Sequence, residues 1–181
     1  MINQLDSTVI LKCNLQRMII LVISILIISS GNIFAQKTPT YSQFPTISKK
    51  KRATVINWSS HPKAIGYRTK LHIAFKKEPI NFAGKFILTQ WGCGTACIQA
   101  ALIDTQTGDI FFPEILQGVT QGYNDAFSKH EMLEFKNSSN LLTIYGAVGN
   151  DFKDASKDYV QGIFYFEWTG KDFNLLQFIA K

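Results

Sequence analysis

Hydrophobic and polar positions divide the chain into three stretches. Met18 to Ile28 is an apolar run of 11 residues interrupted only by Ser24, preceded by Lys12 and Arg17 and followed by Ser29-Ser30-Gly31-Asn32-Ile33-Phe34-Ala35-Gln36. Residues 37 to 59 are polar and basic and show no period. From Ser60 onward, apolar residues recur first at a spacing of four, then at a spacing of two or in short runs, which is the change from helical to strand periodicity. Tyr67, Leu71 and Phe75 are four apart, with Arg68, Lys70, Lys76 and Lys77 between or beside them. That spacing predicts a short amphipathic helix from about Ala64 to Lys76. It starts after His61-Pro62 and stops at Glu78-Pro79-Ile80-Asn81, because proline cannot continue the helical hydrogen-bond ladder.

Strands are predicted at Phe82 to Trp91, Ile98 to Asp104, Asp109 to Phe112, Met132 to Phe135, Leu141 to Ala147, Tyr159 to Trp168 and Phe173 to Ile179. Three connections read as hairpin turns, Asp104 to Asp109, Asn137 to Asn140 and Thr169 to Asp172, so the pairing is expected to be antiparallel. Pro113 to Lys129 and Gly149 to Asp158 have no clear period and are expected to be loops, where binding residues commonly sit. The expected fold is α+β, a mostly antiparallel sheet of six or seven strands with one short N-terminal helix packed on it. A small all-β barrel or sandwich is the alternative.

Of the 181 residues, 46% are hydrophobic and 18% charged, which excludes a disordered tail, a collagen repeat and a charged coiled coil. The apolar run is too short for a membrane span of about 20 residues. With its basic flank and small-residue exit it reads as a signal peptide over residues 1–35, cleaved near Ala35 or Gln36. Met18 is a possible alternative start. A lipid anchor would need a cysteine directly after the run, and Cys13 lies before it. The expected organisation is therefore a signal peptide, a basic flexible segment over residues 36–59 and one globular domain over residues 60–181, exported to the periplasm or secreted. The full chain carries a formal net charge of +6 and remains basic without its leader. Four of the cations are consecutive, Lys49, Lys50, Lys51 and Arg52. Such a cluster could attach weakly to an anionic lipid, glycan or nucleic acid. A solvated linker is the plainer reading, because no aromatic residues interleave the charges for base stacking, and no specific nucleic-acid partner is expected.

Beyond the leader there are two cysteines, Cys93 and Cys97, in Trp91-Gly92-Cys93-Gly94-Thr95-Ala96-Cys97. In an exported protein two isolated thiols this close are expected to form a disulfide. Residues four apart in a strand are about 13 Å from each other, whereas a disulfide needs Cα atoms within about 7 Å, so the segment must turn. Gly92 and Gly94 supply the backbone freedom for that turn.

Phe82-Ala83-Gly84-Lys85-Phe86, the Trp-Gly-Cys-Gly phrase with Cys97, Ile103-Asp104, Thr107-Gly108 and Glu167-Trp168 together resemble a family of small uncharacterised exported bacterial proteins. Its pattern runs Asn-Phe-Ala-Gly, a basic residue or His, an aromatic, and later Trp-Gly-Cys-Gly with a second Cys. The resemblance covers roughly Pro62 to Phe178. It implies one exported domain and carries no established activity. Lys85 stands where a His is frequent in the pattern, so a general-base role for that His would not transfer.

Candidate chemistry is sparse. A thiol oxidoreductase usually spaces its pair by two residues at a helix N-terminus, whereas Cys93 and Cys97 enclose three residues between predicted strands. Ser, His and Asp are present without a Gly-x-Ser-x-Gly elbow. His61, His72 and His130 show no mutual spacing that implies a site, although His130 beside Glu131 has the pattern of a base oriented by a carboxylate. Asp151, Asp154 and Asp158 share a polar loop, but the spacing fits no calcium loop and Lys153 and Lys157 intervene. No zinc pattern links His to Cys. No cofactor and no metal are expected. Trp91, between the strand and the glycines, either lines a surface groove or caps the core next to the disulfide. The functional expectation is an exported non-enzymatic binding module of the bacterial envelope or inhibitor type, recognising a protein or glycan. Its platform is the stapled turn, with Trp91, Gly92, Gly94, Thr95 and Lys85 as binding candidates. The rival is an exported enzyme, either a thiol oxidoreductase using Cys93 and Cys97 or an unassigned hydrolase.

Overall fold

The computed structural model describes residues 37–49, 51–121, 127, 129–149 and 160–181. The leader, Lys50 and the polar loop holding Asp151, Asp154 and Asp158 lie outside the described residues.

The helical segment begins where His61-Pro62 predicts. The His61 ring accepts a hydrogen bond from the Lys63 backbone N–H at 3.1 Å, and Pro62 opens a 3-10 turn, Pro62–Tyr67, at the position where its missing N–H costs nothing. The turn runs into helix α1, Arg68–Lys77, which buries Leu71, Ala74 and Phe75. The helix ends with the Arg52 guanidinium bonding to the carbonyls of Phe75 and Glu78 and lying 5.0 Å from the Phe75 ring. A cation at exposed C-terminal carbonyls is favourable for the helix dipole.

Eight strands follow in two four-stranded antiparallel sheets. The first holds β1 Phe86–Gly94, β2 Cys97–Asp104, β3 Ile110–Phe111 and β4 Gln117–Thr120, with β2 paired to β1 on one side and to β3 and β4 on the other. The second runs in the order β5 Leu133–Phe135, β6 Leu141–Gly146, β7 Gly162–Trp168 and β8 Phe173–Ala180. This corrects the expectation of a single sheet of six or seven strands, and it is not a closed barrel. An isolated antiparallel bridge between Thr120 and Ala147 links the backbones of the two sheets. The strand missing from the sequence reading is β4. Gln117 and Gly118 interrupt its apolar pattern, yet Gln117 is buried, and its amide donates to the carbonyls of Ala100 and Pro113.

Period-two alternation explains the layering. Phe86, Leu88, Ala100 and Leu102 point to one side of the first sheet and share a core with Leu142, Ile144, Phe164 and Phe166 of the second. Ile87, Trp91, Ala101 and Ile103 point to the other side and pack on Leu71, Ala74 and Phe75 of α1. The first sheet is therefore covered on both faces, which is why β1 and β2 carry apolar residues at successive positions rather than in strict alternation.

The basic stretch expected as a flexible segment is pinned along its length. Backbone N–H groups of Thr46, Lys49, Ala53 and Asn57 donate to the carbonyls of Ser138, Gly84, Thr105 and Gly108 at 2.6 to 2.9 Å. The compact unit accordingly runs from Thr38 to Lys181.

Candidate functional site

The β1–β2 hairpin carries the stapled turn. Gly94 pairs with Cys97 across Thr95-Ala96, with a register shift between Gly92 and Gly94. Cys93 and Cys97 form a disulfide with Cα atoms 5.2 Å apart, as the turn condition requires. Gly92 to Ala96 are exposed while Cys97 is buried. The bond joins two strands of a hairpin, not a helix N-terminus, so it lacks the dipole that lowers a catalytic thiol's pKa.

Beneath the tip lies an aromatic base. Trp91, 9% exposed, takes the core-capping position. Its indole N–H donates to Gln99 Oε1 at 3.2 Å, and the Tyr67 hydroxyl donates to the same oxygen at 3.0 Å. The Tyr67 ring lies 4.7 Å from Trp91 and 5.6 Å from Phe112. The indole is thus satisfied and held from three sides, and it supports the tip without presenting a face to a ligand.

The outer edge of β1 changes along its length. Leu88 donates its N–H to Asn81 Oδ1 at 2.8 Å and accepts from Asn81 Nδ2 at 3.1 Å. Both Leu88 backbone groups therefore point away from β2. By strand periodicity Gln90 and Gly92 point the same way, and neither makes a backbone hydrogen bond outside its own ladder among the described residues. The asparagine amide thus closes the edge at Leu88, and the edge stays open from Gln90 to the tip.

Lys85 does not join this site. It sits before the opposite end of β1, a strand of nine residues and so roughly 27 Å long. There its ammonium pairs with Asp104 at 2.5 Å and lies 4.9 Å from the Phe86 ring. The structure brings together Trp91, Gly92, Gly94 and Thr95 and assigns Lys85 to a buried-carboxylate partner.

His61 caps the 3-10 turn, lies tilted 4.8 Å from the Phe112 ring and has its pKa lowered, by burial and then by the Lys63 charge. His72 lines a small cleft of about 180 Å³ with Trp58, Arg68 and Phe75, below the 300 to 1,000 Å³ usual for small-molecule sites. His130 does meet a carboxylate, but it is Glu134, at 3.0 Å, in place of the neighbouring Glu131. Glu134 also accepts from the Tyr145 hydroxyl at 3.1 Å, and the imidazole stacks on the Tyr145 ring at 4.1 Å. Burial and then the Glu134 charge raise the pKa of Tyr145 and of Tyr165, so the Tyr145 hydroxyl stays neutral and donates to Glu134 at ordinary pH. The alternation in β5 marks Glu134 as facing away from the core, opposite Leu133. Nothing local marks Tyr145, which reaches Glu134 only through the β5–β6 pairing.

Among the described residues no group of three His, Cys, Asp or Glu is placed to hold a metal ion. No known protein family, no curated protein and no solved structure matches this chain.

Proposed function

We propose that this protein is an exported binding module that takes an extended polypeptide segment along the open edge of β1 and contacts it with the stapled tip. The observation that carries this reading is the change at Leu88: the edge is closed by Asn81 up to that point and open from Gln90 to Gly92. Strand addition needs unpaired backbone donors and acceptors in a fixed geometry. A disulfide holding the tip lowers the entropy lost on association. Around Gly92 the tip is open, with no heavy atom within 4 Å of where a Cβ would be. Export is supported by the apolar leader with its basic flank and by the disulfide. No described helix is long and apolar enough to cross a membrane.

The test is site-specific photo-crosslinking in cells, with the crosslinking residue at Thr95 or, as a reference, at Thr169 on the β7–β8 turn, which is also exposed. A discrete polypeptide adduct is expected at Thr95, absent at Thr169 and lost when Cys93 and Cys97 are both serine. Equal adducts at both positions, or none at Thr95, reject the reading.

A second reading, a hydrolytic site, rests on the His130–Glu134 pair, which has the orientation of a base steadied by a carboxylate. His130→Ala would abolish any hydrolase activity found in the purified protein while leaving the Thr95 adduct intact.

A further inference from the structure

Charge is distributed very unevenly between the layers. Residues 37–77, which form the pinned strap, the 3-10 turn and α1, carry ten Lys and Arg and no Asp or Glu, whereas residues 78–181 carry seven against twelve. All the helical cations project from one side of the first sheet, because α1 turns Leu71, Ala74 and Phe75 inward. Lys70, Ile73 and Lys77 are spaced at i, i+3 and i+7 on the opposite face, and all three are exposed. The Arg52 guanidinium keeps its charge but is turned to the C-terminal carbonyls of α1.

Apolar side chains stand among these cations. Ile73 is 48% exposed on the outer face of α1, Ile65 is 59% exposed on the turn before it, and Val55 is 71% exposed on the strap beside Arg68, His72 and Lys76. A nucleic-acid surface would ask for exposed aromatics to stack on bases, but Trp58 is covered by Arg68, 4.9 Å from its ring, and Tyr67 is held in the Trp91 stack. Exposed aliphatics ringed by long cationic stems match the boundary between lipid headgroups and acyl chains, where lysine stems lie along apolar surface and extend their ammonium groups to phosphate.

We infer that the outer face of α1, with the turn before it and the adjoining strap, is a docking surface for an anionic lipid bilayer. It lies on a different element from the β1 edge, so a module bound this way keeps its tip for a polypeptide partner.

The test is cosedimentation of the full chain, expressed and processed by its host, with two kinds of vesicle: phosphatidylcholine alone, and phosphatidylcholine mixed with phosphatidylglycerol. Intact mass first establishes that the leader is gone, since an attached apolar leader would insert into either vesicle, and the neutral vesicles are the reference. Binding is expected to the anionic vesicles only and to fall steeply between 50 mM and 500 mM salt, as the screening length shortens. Each cation near such a surface is worth roughly fivefold in affinity, so Lys70→Glu with Lys77→Glu should weaken binding by at least about twentyfold. Ile73→Ser should weaken it severalfold with little change in salt dependence. Lys171→Glu, on the β7–β8 turn, should have no effect, and thermal melts of the variants should coincide with the parent. Equal binding to both vesicles, or full binding by the double-reversal variant, would overturn the proposal. So would an affinity for duplex DNA matching that for the anionic vesicles together with no effect of Ile73→Ser, which would mark the face as a general polyanion reader.

Discussion

The two ends of β1 each carry a glycine-containing phrase, and they are built on opposite principles. At the start of the strand, Asn81-Phe82-Ala83-Gly84 folds back on itself, with Ala83 at φ 47° and Gly84 at φ 74°. A Cβ on Gly84 would come within 2.5 Å of the Ile47 carbonyl oxygen, because the strap crosses there and the Gly84 N–H donates to Asn137 at 2.6 Å. Three chain segments meet at that point, and only glycine fits between them. At the far end, a Cβ on Gly92 or Gly94 would meet nothing within 4 Å. Glycine at the start serves the fold. At the tip it leaves backbone uncovered, and uncovered backbone is what a partner strand requires.

Four substitutions break or sharpen this contrast. The largest effect is expected at the root of the tip. Trp91→Ala removes a buried indole and leaves the Tyr67–Gln99 pair without its neighbour, so chemical denaturation should show a loss of about 3–5 kcal/mol. A loss below about 1 kcal/mol would move the boundary between core and tip one residue earlier. Gly84→Ala comes next, at about 2–4 kcal/mol, since it combines a left-handed backbone with a collision against backbone that cannot swing away. Amide exchange at Lys49 should rise with it, because that N–H bonds to the Gly84 carbonyl.

Replacing Cys93 and Cys97 together by serine should cost about 2 kcal/mol or less, because a five-residue loop removes little chain entropy from the unfolded state. The variant should give a cooperative thermal transition a few degrees lower. Outright unfolding at ambient temperature would make the staple structural and erase the difference between the two ends. Gly92→Ala is the smallest, within about 0.5 kcal/mol in either direction, with open space around the added methyl. If it costs as much as Gly84→Ala, the tip is packed after all.

Local spacing made part of this legible. Cysteines four apart can be joined only if the chain turns, and the hairpin between β1 and β2 supplies that turn. The same holds for the helical segment, where His61-Pro62 opens the turn and Leu71 and Phe75 keep one face inward, and for the Asn137 to Asn140 and Thr169 to Asp172 turns. Seven of the strands were visible as apolar runs or alternation. β4 was not, since its buried polar residue, Gln117, is satisfied by the distant Ala100 carbonyl.

Pairings between segments remote in sequence leave no such local mark. The strap is held through backbone groups, which no side-chain pattern records, so residues 37–59 resemble a linker although they are bonded to Gly84, Thr105, Gly108 and Ser138. Alternation shows that a segment is a strand but not which sheet receives it, so one sheet and two read alike until Thr120 meets Ala147. Trp91 shares its side of β1 with Ile87, yet both sides of that strand are apolar, and only the arrival of α1 decides that the indole is covered. His130 had two glutamates in reach, and the pairing of β5 with β6 put Tyr145 against Glu134. By itself the sequence determined the turns, the staple and the segregation of charge, because each depends on neighbours within a few residues or on a count. The tertiary structure alone decided which glycine is enclosed and which is open, because enclosure is made by segments that meet only when the chain has folded.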